Sequence, residues 1–543
     1  MRKYGSVSGA LGAIALSALV GGFFGSRVLA TQDGLPEHYS VFAAALNAID
    51  SRYVEKVDSD RLVYSAIGGM LQTLDPHSSF MDPKQYAQLR ERQEGHYYGL
   101  GISINVIDGS ITVMSLFEGS PAYQKGMRRG DVITTIDGED AKGWTSDQAV
   151  QKLRGPKGTP VRIAVRRSGY DQLIDLEVLR DEISIPSVPA VFMASEGTGY
   201  IRLQDFAENT DHELSKALHD LTDKGMRRLL LDLRGNPGGP LDQAIKVANH
   251  FLPRGELIVY TRGRVPNSAQ DYRAVESSDF TEFPLVVLAN RNSASASEIV
   301  AGALQDHDRA LVVGETTFGK ALVQSIYRIS QGAGLALTTA RYYTPSGRLI
   351  QRPWDGTFDE YLTYTLRDQD PDKSHSTADL KYTDLGRKVF GGGGIEPDRR
   401  LDGPVEGFNP SRFGRTLYAR LMFANYAQKF DREGDTRIGA VGESKDRRVL
   451  RRDFVVDEAM LQDFRDYART QMSQFDDAAF KADSEFIQAM IRYEIDVAVF
   501  DVSTARRHLL EKDPQAQFAL GLFGEAESLL KASHGGGSKA AAR

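Results

Sequence analysis

Three short, almost wholly apolar runs, Leu229–Leu233, Leu285–Ala289 and Leu311–Val313, constrain this chain more than any other feature. Runs of that length without polar alternation belong to strands buried on both faces, as in a parallel sheet covered by helices. Apolar residues at helical spacing in Thr210–Lys224, Leu241–Phe251 and Ser297–Leu304 supply candidate covers, and Gly199–Leu203 reads as a further strand. The stretch from about Ile183 to Leu401 is therefore expected to form an α/β layer, with functional groups in the loops that leave the strands. At 543 residues the chain exceeds a single core, so further domains are expected around this layer.

Three loops of that layer hold residues suited to chemistry. Asp232-Leu233-Arg234-Gly235-Asn236-Pro237-Gly238-Gly239-Pro240 joins a strand to a helix, and its paired glycines let the backbone approach a ligand and aim an N–H at an oxyanion. Asn290-Arg291-Asn292-Ser293-Ala294-Ser295-Ala296-Ser297-Glu298 does the same, with small residues that leave a seryl hydroxyl accessible. Alone, such a Ser/Ala run is most often a helix N-cap. The third loop, Gly314-Glu315-Thr316-Thr317-Phe318-Gly319-Lys320-Ala321, spells a phosphate-binding Gly-x-x-x-x-Gly-Lys. Ala321 stands where the magnesium-binding Ser or Thr belongs, and Leu322–Ile329 reads as a strand rather than a helix, which argues against a nucleotide. On a strand, Lys320 and Gln324 project to the same side.

Upstream, His38–Gln93 has helical character, with Val41, Ala45, Ala48 and Ile49, then Leu62, Ala66, Met70 and Leu71, on helical spacing. Pro76 ends the second helix by forcing Asp75 out of helical geometry, and His77 reads as part of that turn. From His96 to Asp181, Ile102, Ile104 and Val106 alternate, Asp108-Gly109 marks a hairpin, and Ile111-Thr112-Val113 follows. Gly119-Ser120-Pro121-Ala122, Gly126–Ile133 and Ile136-Asp137-Gly138 come next, then a helix whose start is a Thr145/Gln148 capping box, then a final strand with Val161, Ile163 and Val165. This segment resembles a PDZ domain. The resemblance implies that the Gly99-Leu100-Gly101-Ile102 turn converges backbone N–H groups on a peptide's carboxylate while the strand edge and the Thr145 helix hold the peptide by strand addition.

Taken in order, Asp-Leu-Arg-Gly-Asn-Pro-Gly-Gly, Ser-Ala-Ser-Ala-Ser-Glu-Ile, Gly-Glu-x-Thr-x-Gly-Lys-x-x-x-Gln and Tyr343-Thr344-Pro345-Ser346-Gly347 are similar to the motifs of the carboxy-terminal processing, or tail-specific, proteases. The likeness runs from about residue 40 to about 400. It implies an α/β multidomain chain: a helical cap or dimerisation segment over 31–95, a mostly β PDZ domain over 96–181, and a peptidase core over 182–401 resembling the crotonase/ClpP-like spiral. It further implies Ser295 as nucleophile, Lys320 as general base, Gln324 orienting that lysine, and the Gly239 and Ala296 amides as oxyanion hole. Lysine serves as a base only when its surroundings lower its pKa from about 10.4 towards about 7–8. Pro240 departs from the aliphatic residue the family usually carries there, and proline is tolerated in a first helical turn. The implied substrate is a protein with a free, unstructured C-terminus, with a homo-oligomer and an adaptor protein as further partners. A catalytically silent PDZ scaffold is the rival reading.

Other classes find little support. Lys and Arg number 66 against 73 Asp and Glu, a net charge of −7, so no basic surplus is available to grip nucleic acid. The chain has no cysteine, which removes thiol nucleophiles and thiolate metal sites. His307 falls in a polar loop at the far end of its helix and reads as a surface residue, and no His-Glu-x-x-His occurs, so neither a metal nor a cofactor is expected. Met1-Arg2-Lys3, the apolar stretch Val7–Phe24 and Val28-Leu29-Ala30 read as an export signal over 1–30, cleaved after Ala30 or retained as an anchor by residues 7–24. That places the protein in the bacterial periplasm or cell envelope, with an N-terminal membrane contact if the leader stays. Beyond 401, Arg415–Phe430, Val456–Phe475, Phe486–Phe500 and Ala516–Leu530 are amphipathic, which makes 402–532 a helical extension serving as a dimer contact or a brace, and Ser533–Arg543 reads as a flexible tail.

Overall fold

The computed structural model describes residues 35–354, 361, 363, 376–403, 410–432 and 448–540. The expected leader, residues 1–30, lies outside the described residues. The chain divides into two units, residues 1–82 and 83–543. In the first, α1 (Leu35–Arg52) and α2 (Ser59–Gln72) form where the periodicity places them, with Asp58 capping α2 by accepting from the Asp60 and Arg61 N–H groups. The Asp75 carboxylate accepts from the His77 and Ser78 N–H groups, so Asp75 closes the turn and His77 is held in it through its backbone.

The second unit opens with α3 (Pro83–Glu94) and the PDZ domain. Its strands β1 (His96–Gly99), β2 (Ile102–Ile107), β3 (Ser110–Leu116), β4 (Val132–Ile136), β5 (Pro160–Arg166), β6 (Ile174–Leu179) and β7 (Asp181–Ser184) surround the short helix α4 (Pro121–Gln124) and α5 (Ser146–Leu153). Asp108 and Gly109 both take positive φ, 49° and 72°, as a tight hairpin turn demands. The Thr145/Gln148 capping box is formed at α5. One expectation is corrected: β5 is not the final strand, because β6 pairs with it and β7 returns to pair β1. Ile174, Leu176 and Val178 alternate with charged residues, the pattern of a one-sided strand. The β2–β3 pairing carries a bulge at Met114 of β3, between Ser103 opposite Ser115 and Ile104 opposite Val113, and Val106, near the end of β2, is exposed.

The core is the α/β layer the apolar runs require. β8 (Ala190–Ser195) pairs antiparallel with β9 (Thr198–Arg202), and from there β10 (Arg228–Asp232) and, out of chain order, β13 (Leu285–Ala289), β14 (Leu311–Gly314) and β17 (Arg399–Arg400) continue in parallel. β11 (Leu257–Arg262), β12 (Gln270–Arg273), β15 (Leu322–Arg328) and β16 (Gly334–Tyr343) belong to a second, antiparallel sheet in the order β15–β16–β11–β12. Helices α6 (Thr210–Asp223), α7 (Leu241–Asn249) and α8 (Ala296–Asp306) all bury their apolar stripes in one cluster with Leu229, Leu231, Leu285, Val287 and Val312. The intervening residues Leu230, Val286, Leu288, Leu311 and Val313 face the other way, into a cluster completed by Leu510, Ala516, Ala519, Phe523 and Ala526.

That second cover comes from the C-terminal extension. α9 (Arg412–Ala419), α10 (Met422–Ala427), α11 (Glu458–Gln471), α12 (Asp477–Ala482) and α13 (Ser484–Val499) share their own core, while α14 (Val502–Lys512), α15 (Pro514–Gly521) and α16 (Phe523–Ala540) lie on the sheet. Leu421, at φ 55°, breaks the expected helix over 415–430 into α9 and α10. α16 runs to Ala540, past Ser533, where a flexible tail is expected. The extension also grips the PDZ domain: the buried Arg128 guanidinium pairs with Asp431 and donates to the Phe430 carbonyl, and Arg129 pairs with Glu494. No helix among the described residues is long and apolar enough to cross a membrane.

Candidate active site

The sheet brings the three loops together at the carboxyl ends of β10, β13 and β14. Asn236 fastens the first to the second: its carbonyl accepts from the Ala294 N–H at 3.0 Å and the Ser297 hydroxyl at 3.0 Å, and its side chain accepts from the Gly238 N–H at 2.9 Å. The Ser293 hydroxyl donates to the Leu233 carbonyl at 2.8 Å. Gly238, at φ 91°, approaches the seryl loop so closely that a Cβ there would lie 2.7 Å from the Ala294 carbonyl and 2.8 Å from the Ala296 nitrogen. Only glycine fits that position.

Ser295 stands at the N-terminus of α8 with φ 54° and ψ −113°, an unfavourable conformation for a residue bearing a Cβ. Its carbonyl takes the Glu298 and Ile299 N–H groups, which is how α8 starts. Among the described residues, the N–H groups of Ala296 and Gly239 make no hydrogen bond, whereas that of Gly238 is taken by Asn236. The two amides expected to serve an oxyanion are thus the two left available beside Ser295.

Lys320 is brought to the same place by Glu298. Oε2 of this fully buried carboxyl accepts from the Ser295 N–H at 2.8 Å and the Lys320 N–H at 2.9 Å. Oε1 accepts from the Gly319 N–H at 2.7 Å and the Thr317 hydroxyl at 2.5 Å. One oxygen therefore holds the backbones of Ser295 and Lys320 within two hydrogen-bond lengths of each other. The buried Tyr342 hydroxyl, from β16, ties them a second time, donating to the Lys320 carbonyl and lying 3.2 Å from that of Ser295. Lys320 Nζ donates to Gln324 Oε1 at 3.3 Å, although Lys320 precedes the strand, which starts at Leu322, and an irregularity between Val323 and Gln324 breaks the simple alternation, so the contact comes from the local chain path and not from the strand period. Burial pushes the Glu298 carboxyl up to about 7 despite its four donors.

Model comparison identifies the domains these loops belong to. Residues 197–357 match Peptidase family S41, 88–166 match the PDZ domain, and 27–85 match the N-terminal domain of the activating protease CtpB. The carboxy-terminal-processing protease of Bartonella bacilliformis is 43% identical over 315 residues, which cover 57% of this chain and 72% of that protein. The chain belongs to the carboxy-terminal processing protease family. The carboxyl-terminal-processing protease of Synechocystis is 41% identical over 295 residues, 53% of this chain and 68% of its own length. Among solved structures, the photosystem II D1 C-terminal processing protease is 29% identical, covering 67% of this chain and 93% of that one with a TM-score of 0.35.

Within the PDZ domain the Gly99–Ile102 turn links β1 to β2. Gly101, at φ 79°, sits so near Ser120 that a Cβ would come within 2.2 Å of the serine Cβ, and its carbonyl accepts from the Phe117 N–H and the Ser120 hydroxyl. Leu100 is buried in the PDZ core, and its carbonyl accepts from the Ala122 N–H. Two residues that hold the Ser295 and Lys320 backbones escape sequence reasoning. Glu298 reads as an N3 capping residue, and nothing local reveals that its other partners come from Thr317–Lys320. Tyr342 adjoins the Tyr343–Gly347 motif but carries no mark of its own. His307 is corrected: it caps α8 with its side chain only 9% exposed, its ring nitrogens bonded to Asp384 and the Leu257 carbonyl at 2.7 Å each. Burial would lower its pKa, but those two partners raise it above the usual imidazole value.

Proposed function

We propose that this protein is an exported serine endopeptidase that captures the free C-terminal tail of a protein substrate on its PDZ domain and cleaves nearby with Ser295 and Lys320. The observation that carries this reading is the double tie of Ser295 and Lys320 to one carboxylate oxygen of Glu298 and to the Tyr342 hydroxyl. A chain that needed only an N-cap and a surface lysine would have no use for two shared buried anchors.

In the reaction, the neutral Lys320 amine takes the Ser295 proton as Oγ attacks the scissile carbonyl. The oxyanion that forms accepts from the Gly239 and Ala296 N–H groups, aided by the N-terminus of α8. Lys320 then returns the proton to the departing amine, leaving an acyl-serine. Water attacks that ester with Lys320 again as base, and the proton goes back to Ser295 as the new carboxylate leaves. Gln324 accepts a hydrogen bond from the lysine and fixes where its lone pair points. The Gly99–Ile102 turn, Leu100 included, binds the substrate's terminal carboxylate.

Export follows from the basic-apolar leader of residues 1–30 and places the enzyme in the periplasm or cell envelope, either free or anchored by residues 7–24. The N-terminal helices suit a homo-oligomer contact. The decisive comparison uses wild type, Ser295→Ala and Lys320→Arg on an unfolded protein with a free C-terminus. Loss of cleavage in both variants is expected, since a guanidinium does not give up its proton. Equal cleavage by Ser295→Ala would remove the serine as nucleophile, and no cleavage by wild type would favour a silent PDZ scaffold.

A further inference from the structure

We propose that Asp513 and Gln515, at the start of α15 in the C-terminal extension, are positioning residues for the peptidase reaction, acting through Arg234 and Glu315 on the three catalytic loops. The inference rests on the Ser295–Lys320 reading above. Both residues lie far beyond the 197–357 stretch matched by the peptidase family.

The geometry is specific. Arg234, two residues into the oxyanion loop, donates through Nε and Nη2 to the Asp232 carboxylate at the end of β10. The outer side of the same guanidinium is taken by the extension: Nη2 donates to Asp513 Oδ2 at 2.6 Å and Nη1 to Gln515 Oε1 at 3.1 Å. The arginine is thus pinned from both sides. Asp232 is fully buried, and although burial would raise its pKa, Arg202 and Arg234 hold it well below the usual carboxylate range.

Gln515 reaches further. Its Nε2 donates to Glu315 Oε1 at 3.2 Å and to the Leu401 carbonyl at 3.0 Å. Glu315 belongs to the lysine loop, five residues before Lys320, and its Oε2 accepts from Arg291 Nε at 2.6 Å. Arg291 belongs to the seryl loop, four residues before Ser295. A single amide, 8% exposed, therefore touches the oxyanion loop with its oxygen and the other two loops, through Glu315, with its nitrogen. Packing α15 on the sheet needs none of this. Ala516 and Ala519 already supply its apolar contact, so a helix serving only as a cover could present other polar residues at 513 and 515.

The test compares Asp513→Asn, Gln515→Met and the double variant with wild type and Ser295→Ala in the full chain. Asparagine keeps the cap that Asp513 gives to α15, where its Oδ1 accepts from the Ala516 N–H, but removes the charge facing Arg234. Methionine keeps the volume of Gln515 and removes its three side-chain hydrogen bonds. Four quantities are read: kcat and KM on a peptide with a free C-terminus, the rate of labelling of Ser295 by a fluorophosphonate, the Kd of the PDZ domain for a non-cleavable C-terminal peptide, and the unfolding midpoint. The double variant should lose at least about ten-fold in kcat and in labelling rate, with KM and peptide Kd within about three-fold of wild type. An Arg234→Lys background should remove most of the loss caused by Asp513→Asn alone, because that arm of the effect passes through Arg234. Wild-type kcat in the double variant overturns the proposal. So does a parallel fall in kcat, peptide binding and unfolding midpoint, which is the mark of a cover and nothing more. Full turnover by Ser295→Ala would overturn the catalytic reading and this one with it, whereas a dead Ser295→Ala beside a fully active double variant would remove this proposal alone.

Discussion

Replacing Glu298 by glutamine tests the feature on which the site's geometry depends. The carboxylate takes two donors on each oxygen, and an amide can accept on one side only. With the NH2 group towards Ser295 and Lys320, two buried backbone N–H groups lose their acceptor. Turned the other way, only the Gly319 N–H does, because the Thr317 hydroxyl rotates to accept. The second orientation wins, and one unsatisfied buried donor costs about 1–3 kcal/mol. Ser295 and Lys320 stay attached, but to a neutral oxygen, and hydrogen bonds to ionised groups are roughly twice as strong. A looser pair should lower kcat/KM about ten-fold, equivalent to about 1.4 kcal/mol of transition-state stabilisation. The pH dependence gives a sharper readout. The folded carboxyl titrates near 7 against about 4.3 in an unfolded chain, so the native state binds more protons between those values. Stability from this group is full below about pH 4.3 and is lost as pH rises through about 7, by at most about 1.4 kcal/mol per pH unit. Glutamine does not titrate. The deficit of Glu298→Gln should therefore be largest near pH 5, where a protonated acid satisfies all four partners, and should shrink towards pH 7. Urea unfolding followed by Trp354 fluorescence in a Trp144→Phe background measures it. A stability difference that stays constant from pH 5 to 8, or kcat/KM within two-fold of wild type, would refute the reasoning.

Three further outcomes follow from contacts at single residues. Gly238→Ala puts a methyl group 2.8 Å from the Ser295 Cβ at a φ of 91°, and should abolish peptidase turnover by at least about a hundred-fold while the PDZ domain still binds peptide; a turnover assay beside a peptide titration separates the two. Gly101→Ala at φ 79° drives a methyl into Ser120, and should weaken binding of a C-terminal peptide by at least about ten-fold, measured by fluorescence anisotropy with the amidated peptide as reference. Asp431→Asn strips the charge from the partner of the buried Arg128, and breaking such a pair costs about 3–5 kcal/mol. Hydrogen exchange should then quicken in Gly126–Asp131 and Met422–Phe430 and stay unchanged in β13, and uniform protection throughout would show that the extension does not hold the PDZ domain through this pair.

Much of the architecture is legible in the chain because its signals are local. The apolar runs place β10, β13 and β14, the Thr145/Gln148 box starts α5, and Asp108-Gly109 turns the β2–β3 hairpin. β15 is legible for the same reason, since its alternation after Lys320 decides against a phosphate-binding helix. Strands such as β11, β12 and β16 are not, because they are stabilised by pairing with segments distant in sequence, and β-propensity reports surroundings more than the residue itself. The expected nucleophile, base and glutamine are readable only because several motifs recur in order. Each alone reads as a cap, a failed P-loop or a surface strand residue.

The extension shows why a partner cannot be read from a face. Apolar runs such as Leu229–Leu233 establish that both sides of the sheet are buried, and the natural inference assigns both covers to the intervening helices. In fact α6, α7 and α8 all lie on one side, so Leu230, Val286, Leu288 and Val313 would face water without α14–α16. An apolar stripe specifies that something must cover it, not what. The same holds for polar groups: nothing in the sequence marks a distant partner for Arg234, in the loop after β10, yet its guanidinium faces Asp513 and Gln515 nearly three hundred residues away. A helical brace that completes the sheet's core thereby also reaches the base of all three loops, with Ala516 and Ala519 turned to the sheet and Asp513 and Gln515 to the loops.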